Sequence, residues 1–106
     1  MNRGERVALR HYRLRGYRLL EANARAGRYE LDLVLRRGDH VVVVEVKEKS
    51  GSAFGHPFEM IDEEKVRRVY TAAGSWLATH PELDGLDVVF EAAAVRGRHV
   101  ERVPLA

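Results

Sequence analysis

Two short apolar runs, ELDLVLR (30 to 36) and VVVVEVK (41 to 47), flank the tetrapeptide RGDH, whose central Gly38-Asp39 is a hairpin signal. With Gly38 and Asp39 as the two turn residues, positions equidistant from them pair across the hairpin. Asp32 then falls opposite Glu45, and Glu30 opposite Lys47. Strand side chains alternate with period two, so all four share one face, continued towards the turn by Val34, Val43 and Val41. The opposite face reads Leu31, Leu33, Leu35, Val42, Val44 and Val46. One face is core throughout, whereas the other is apolar near the turn and ionised at its far end.

Two carboxylates facing each other across a hairpin have Cβ atoms about 5 Å apart. At an effective dielectric of 20 their repulsion is roughly 3 kcal/mol, which stabilises no fold. A divalent cation would turn that repulsion into binding, because Mg²⁺ prefers one or two carboxylates together with waters and phosphate oxygens. Lys47 lies two residues beyond Glu45 on the same face, where it could orient a water or neutralise charge developing on a phosphate. The same residues also suit a set of cross-strand salt bridges, with Glu30 on Lys47 and an arginine on Asp32.

Around the hairpin the sequence predicts the order αβββαββ in a single domain, residues 1–106. A helix is expected over residues 3 to 15, from Glu5, Ala8, Leu9 and Tyr12 at helical spacing with Gly16 as its stop. Residues 17 to 23 form the first strand, and residues 49 to 58 a loop holding Gly51, Gly55 and Pro57. Val66, Val69, Tyr70, Ala73, Trp76 and Leu77 predict a second helix behind an acidic first turn, ended by Pro81. Residues 86 to 95 and 99 to 103 complete an α/β fold, a central mixed β-sheet flanked by helices.

Charge is unevenly spread. The net value is only +2, yet residues 1 to 40 hold ten arginines against five acids, and guanidinium forks match phosphate oxygens. These arginines suit nucleic acid, or simply a solvated surface. Zero cysteines exclude disulfides, thiol catalysis and cysteine-bound zinc. The five histidines lack a metal-ligand spacing such as HExxH, with His56 in the loop the one to watch, and no GK[ST] sequence supports NTP hydrolysis. No apolar run approaches the roughly 18 residues of a membrane span. Arg3, Glu5, Arg6 and Arg10 near the start leave no room for a secretory signal, so the expectation is a cytoplasmic protein without a membrane partner.

Asp32 followed by Glu45-Val46-Lys47 resembles the PD-(D/E)xK motif of the restriction-endonuclease-like superfamily, which includes Holliday-junction resolvases. The chain is more closely similar to the YraN-like family of small bacterial predicted endonucleases. That resemblance is carried by RGERVA, GYRLLEAN, ELDLV, VVVEVK, FGHPFEMIDEEKVRRV and the Trp-containing helix that follows. It implies a restriction-endonuclease-like fold with Asp32 and Glu45 as ligands of Mg²⁺ or Mn²⁺ and Lys47 as the catalytic lysine. It also implies a role for Glu5, matching an acidic residue that completes the site in related resolvases; a capping box with Asn2 explains Glu5 equally well. Glu30 and Lys65 fit as accessory residues, Glu30 through a salt bridge to Lys47, and Lys65 on a phosphate or as a solvated lysine at a helix start. Asn23 and Glu59 match as well.

The chain departs from the family pattern at Tyr29, where glycine is usual and where an aromatic ring either limits backbone approach or offers a stacking surface. It departs again at Glu48-Lys49, where Thr-Arg is common and where Glu48 adds negative charge near a scissile phosphate. The function implied is a Mg-dependent endodeoxyribonuclease that hydrolyses phosphodiester bonds, with branched or structured DNA as one substrate and a homodimer as one assembly. The alternative is a catalytically inactive nucleic-acid-binding or protein-interaction module on the same fold.

Overall fold

The structure is a computed structural model that describes residues 1–49 and 62–105. The expected loop beyond Lys49, with His56 and Glu59, lies outside the described residues. Helix α1 spans Arg3–Arg13, followed by strands β1 (Arg18–Ala26), β2 (Tyr29–Arg37) and β3 (His40–Glu48). Helix α2 (Glu63–Ala78), a 3₁₀ turn (Pro81–Leu83), β4 (Asp87–Arg96) and β5 (His99–Pro104) complete the order αβββαββ.

Local chemistry accounts for the helix ends. Asn2 Oδ1 accepts the Glu5 amide at 2.8 Å while Glu5 Oε1 accepts the Asn2 amide at 2.9 Å, so the capping box is formed. Gly16 stops α1 at φ +89, a conformation that carries a steric penalty for any residue with a Cβ. At the start of α2, Asp62 Oδ1 accepts the Lys65 amide at 2.8 Å.

The five strands lie in sequence order, with β3 and β4 parallel and the other neighbours antiparallel. A parallel pair needs a crossover, and α2 lies on that connection. The helices cover opposite faces: α1 buries Ala8, Leu9 and Tyr12 against Leu33, Leu35, Val42 and Val44, while α2 buries Val69, Ala73 and Trp76 against Val34, Val41 and Val43. Tyr12 is further fixed through its hydroxyl, which donates to Glu91 at 2.7 Å; Arg102 donates to the same carboxylate at 3.0 Å. Burial first, and then Glu91, raise the Tyr12 pKa well above the ordinary phenol range, so the ring stays neutral and donating.

The hairpin register is as expected near the turn, running from Arg37 opposite His40 to Leu33 opposite Val44. There the β2–β3 ladder ends, although both strands continue. Strand β2 stays with β1 as far as Tyr29 opposite Ala26, and β3 stays with β4 as far as Glu48 opposite Val95. The sheet therefore forks at Asp32 and Glu45.

Two expectations need correction. Strand β1 runs on to Ala26 instead of stopping at residue 23, because its ladder with β2 continues past the positive φ of 50 at Asn23 through Ala24 opposite Leu31 to Ala26 opposite Tyr29. Alternation is broken at the same level: Ala24 and Leu31 join the α2-side cluster, whereas Ala22 and Leu33 pack on the α1 side. Leu31 thus does not share a face with Leu33 and Leu35.

Candidate active site

The fork leaves backbone groups without ladder partners, and a side chain satisfies one of them. Asp32 Oδ2 accepts the Val46 amide at 2.8 Å, which aims the half-buried Asp32 carboxyl at the C-terminal end of β3. Glu45, one residue earlier on β3, is 5% exposed. Burial first, and then Glu45, push the Asp32 carboxyl up from 3.8 to about 7, against the opposing pull of the Val46 amide. The two carboxylates meet, although the hairpin ladder expected to carry Asp32 opposite Glu45 stops one pair earlier, at Leu33 opposite Val44.

Two lysines meet them. Lys65 Nζ, from the first turn of α2, lies 2.9 Å from Glu45 Oε1, and Lys47 Nζ lies 3.6 Å from the same oxygen. Burial and then the neighbouring Lys65 ammonium lower the Lys47 pKa. Burial would lower Lys65 too, but its contacts to Glu45 and Lys47 prevail and raise it. Lys65 is therefore an ion-pair partner within the site and not a solvated lysine at a helix start. Its position carried a signal: a lysine in a first helical turn opposes the macrodipole unless something beyond the helix holds it.

Glu5 serves the helix cap and the site together. Asn23 Nδ2 donates to both Glu5 carboxylate oxygens at 3.2 Å, and the Glu5 charge contributes to the raised pKa of Asp32. The left-handed conformation of Asn23, one that asparagine tolerates, joins the start of α1 to the fork.

Glu30 departs from expectation. Among the described residues it forms no salt bridge with Lys47, because β2 has left β3 by that point and Glu30 pairs across to Arg25 on β1. It lines instead the rim of a cleft of about 270 Å³ that opens over Asp32 and Glu45. Arg25, Arg28 and Tyr29 of the β1–β2 hairpin form one wall, and Lys65 and Arg68 of α2 the other, with the Arg68 guanidinium 5.7 Å from the Tyr29 ring centre. Glu48 points elsewhere. It pairs with Arg3 and packs against Gly4, where an added Cβ would come within 3.0 Å of its Oε1. The Glu48 charge is thus taken up by α1.

Sequence reasoning did not single out the cleft arginines. Of the ten arginines in residues 1 to 40, only Arg25 and Arg28 line this cleft. Among the described residues no group of three or more acidic or imidazole side chains is arranged to enclose a metal. Two carboxylates suffice for Mg²⁺, which usually retains waters and takes substrate oxygens, so the donor set fits that ion and not a closed protein cage.

Comparison with known proteins bears on the whole arrangement. The model of the Uncharacterised protein family UPF0102 matches residues 4–95. A UPF0102 protein of Clavibacter michiganensis subsp. michiganensis is 41% identical over 90 residues, covering 82% of this chain and 76% of its own. Those of Beutenbergia cavernae and Frankia alni are 47% and 45% identical, covering 73% and 74% of this chain. The chain spans 65% of the length of each of these two relatives. No helix among the described residues is long and apolar enough to cross a membrane.

Proposed function

The chain belongs to the Uncharacterised protein family UPF0102, and from the geometry of its carboxylate cleft we propose that it is a metal-dependent endonuclease acting on DNA. The observation that carries this reading is the meeting of Asp32, Glu45, Lys47 and Lys65 at a sheet fork, beneath a cleft walled by arginines. Like charges are not brought together in a partly dry site for stability.

Asp32 and Glu45 would hold Mg²⁺ or Mn²⁺, which when bound supplies charge neutralisation at a phosphate and a more acidic water. Arg25, Arg28 and Arg68 hold the backbone on either side of the scissile phosphate, their forks matching its oxygens. Lys47, with its pKa lowered by burial and by Lys65, orients the attacking water or stabilises charge on the phosphate in the transition state. Glu5, fixed by Asn23 and the helix cap, holds the edge of the site. Branched or structured DNA and a homodimer that presents two such sites belong to the same proposal.

One observation favours a second reading, a DNA-binding module that does not cut: Lys65 already neutralises Glu45 at 2.9 Å. A Mn²⁺ titration followed by a cleavage panel of duplex, single-stranded, flap and four-way DNA separates the two. The nuclease reading expects Mn²⁺ binding abolished by Asp32→Asn, together with metal-dependent nicking of at least one substrate. DNA binding with neither metal binding nor nicking would favour the module.

A further inference from the structure

Seven of the ten arginines in residues 1 to 40 fall into two separate groups, Arg25 and Arg28 at the carboxylate cleft and five on or just after α1. Arg3, Arg6, Arg10 and Arg13 recur on α1 at i, i+3, i+7 and i+10, which gathers them within an arc of roughly 80° on the helix surface. Arg3, Arg6, Arg10 and Arg15, with Arg98 of the β4–β5 turn, line a groove of about 680 Å³ that no carboxylate lines. Among the described residues Arg3 alone of these is paired with an acid, Glu48. Like charges at i, i+3 and i+4 destabilise a helix, so such a stripe calls for a polyanion. His11 in the groove wall has an enclosed Nε2 without a hydrogen-bond partner, and burial and then Arg15 lower its pKa.

This groove shares no residue with the carboxylate cleft. Helix α1 packs on the sheet face bearing Leu33, Leu35, Val42 and Val44, opposite the face that α2 covers. We infer that the outer face of α1 and the β4–β5 turn form a second phosphate-backbone site, which grips a segment of nucleic acid other than the one at Asp32 and Glu45. This rests on the reading of the cleft as DNA-directed and extends it towards the substrate class: a molecule with two backbone segments, as at a branch. Guanidinium forks suit phosphate oxygens bidentately. An anionic membrane fits less well, because a helix that lies on a bilayer inserts its apolar face, and that of α1 is spent on the sheet core through Ala8, Leu9 and Tyr12.

The test is fluorescence anisotropy of a labelled four-way junction and of a linear duplex of equal length, titrated with the full chain between 50 and 200 mM salt. The proteins are wild type, Arg6→Ala/Arg10→Ala/Arg13→Ala and the corresponding triple lysine variant. The alanine triple should lose about tenfold or more in junction affinity, fall towards its affinity for the duplex, and show a salt slope shallower by about two to three, since each lost phosphate contact removes roughly 0.9. The lysine triple should recover much of the slope. Unchanged junction affinity and slope in a correctly melting alanine triple would overturn the second site and leave the cleft reading standing. A wild type that binds no DNA would overturn both. Vesicles of phosphatidylglycerol captured by wild type but not by the alanine triple, with DNA binding unaltered, would assign the surface to lipid and overturn the inference.

Discussion

Asp32 Oδ2 accepts the Val46 amide at 2.8 Å at the level where β2 and β3 cease to pair. One carboxylate thereby does two things: it closes a backbone donor that the fork would leave open, and it fixes its own remaining oxygen beside Glu45. The site is built from the place where the sheet divides, so the geometry of the carboxylates depends on β1 drawing β2 away from β3.

Asp32 makes the metal-free protein sensitive to pH. Its carboxyl rises from 3.8 to about 7 on folding, chiefly by burial and then by Glu45. The folded state holds this proton more tightly than the unfolded chain. The stability it contributes is full below about pH 4 and is lost as pH climbs through 7. In chelated buffer Asp32→Asn should melt several degrees above wild type at pH 7.5 and close to it at pH 4. Saturating Mg²⁺ should reverse the order at pH 7.5, by stabilising wild type alone. Identical melting curves at both pH values would contradict this account of Asp32.

Lys65 is expected to exchange roles with the cation. Glu45 is 5% exposed, and removing a partner leaves a buried charge uncompensated. With Lys65 partly solvated and Lys47 still within 3.6 Å of Glu45, the cost of Lys65→Met should be about 1–3 kcal/mol in chelated buffer. That difference should shrink when Mg²⁺ is added. A deficit unaltered by Mg²⁺ would mean that the ion pair is structural alone.

Asn23 links the left-handed backbone to Glu5. Asn23→Gly keeps φ 50 at little cost and loses the two hydrogen bonds to Glu5, whereas Asn23→Ala loses the bonds and adds about 1 kcal/mol of backbone strain. Thermal melts should rank wild type above Asn23→Gly above Asn23→Ala. The two variants melting together would show that the positive φ carries no penalty there.

Much of the site was legible because its signals are local. Gly38-Asp39 specified the turn, and period-two alternation then placed Asp32, Glu45 and Lys47 on one face, while Glu5 entered through family resemblance. What escaped depends on competition between distant strands. Glu30 looked like the partner of Lys47 because a hairpin read in isolation has no reason to open. The fork comes from β1 and β4, and with it went the placing of Leu31 and the end of β1 at residue 23. Arg25, Arg28 and Arg68 could not be assembled into a cleft before the β1–β2 turn and α2 were set on the same side of the sheet. Lys65 was legible in part, since a first-turn lysine among Asp62, Glu63 and Glu64 is an exception to helix-dipole preference.

The claim that this cleft is catalytic stands or falls on Lys47. The measurement is Mn²⁺-supported cleavage of a labelled four-way junction by wild type and Lys47→Ala, with thermal melts and Mn²⁺ titrations of both alongside. The expected result is that Lys47→Ala folds, binds Mn²⁺ and DNA nearly as wild type does, and cleaves orders of magnitude more slowly, because the lysine acts most strongly at the transition state. Equal cleavage by wild type and the variant, or none by either in the presence of bound Mn²⁺, would contradict it.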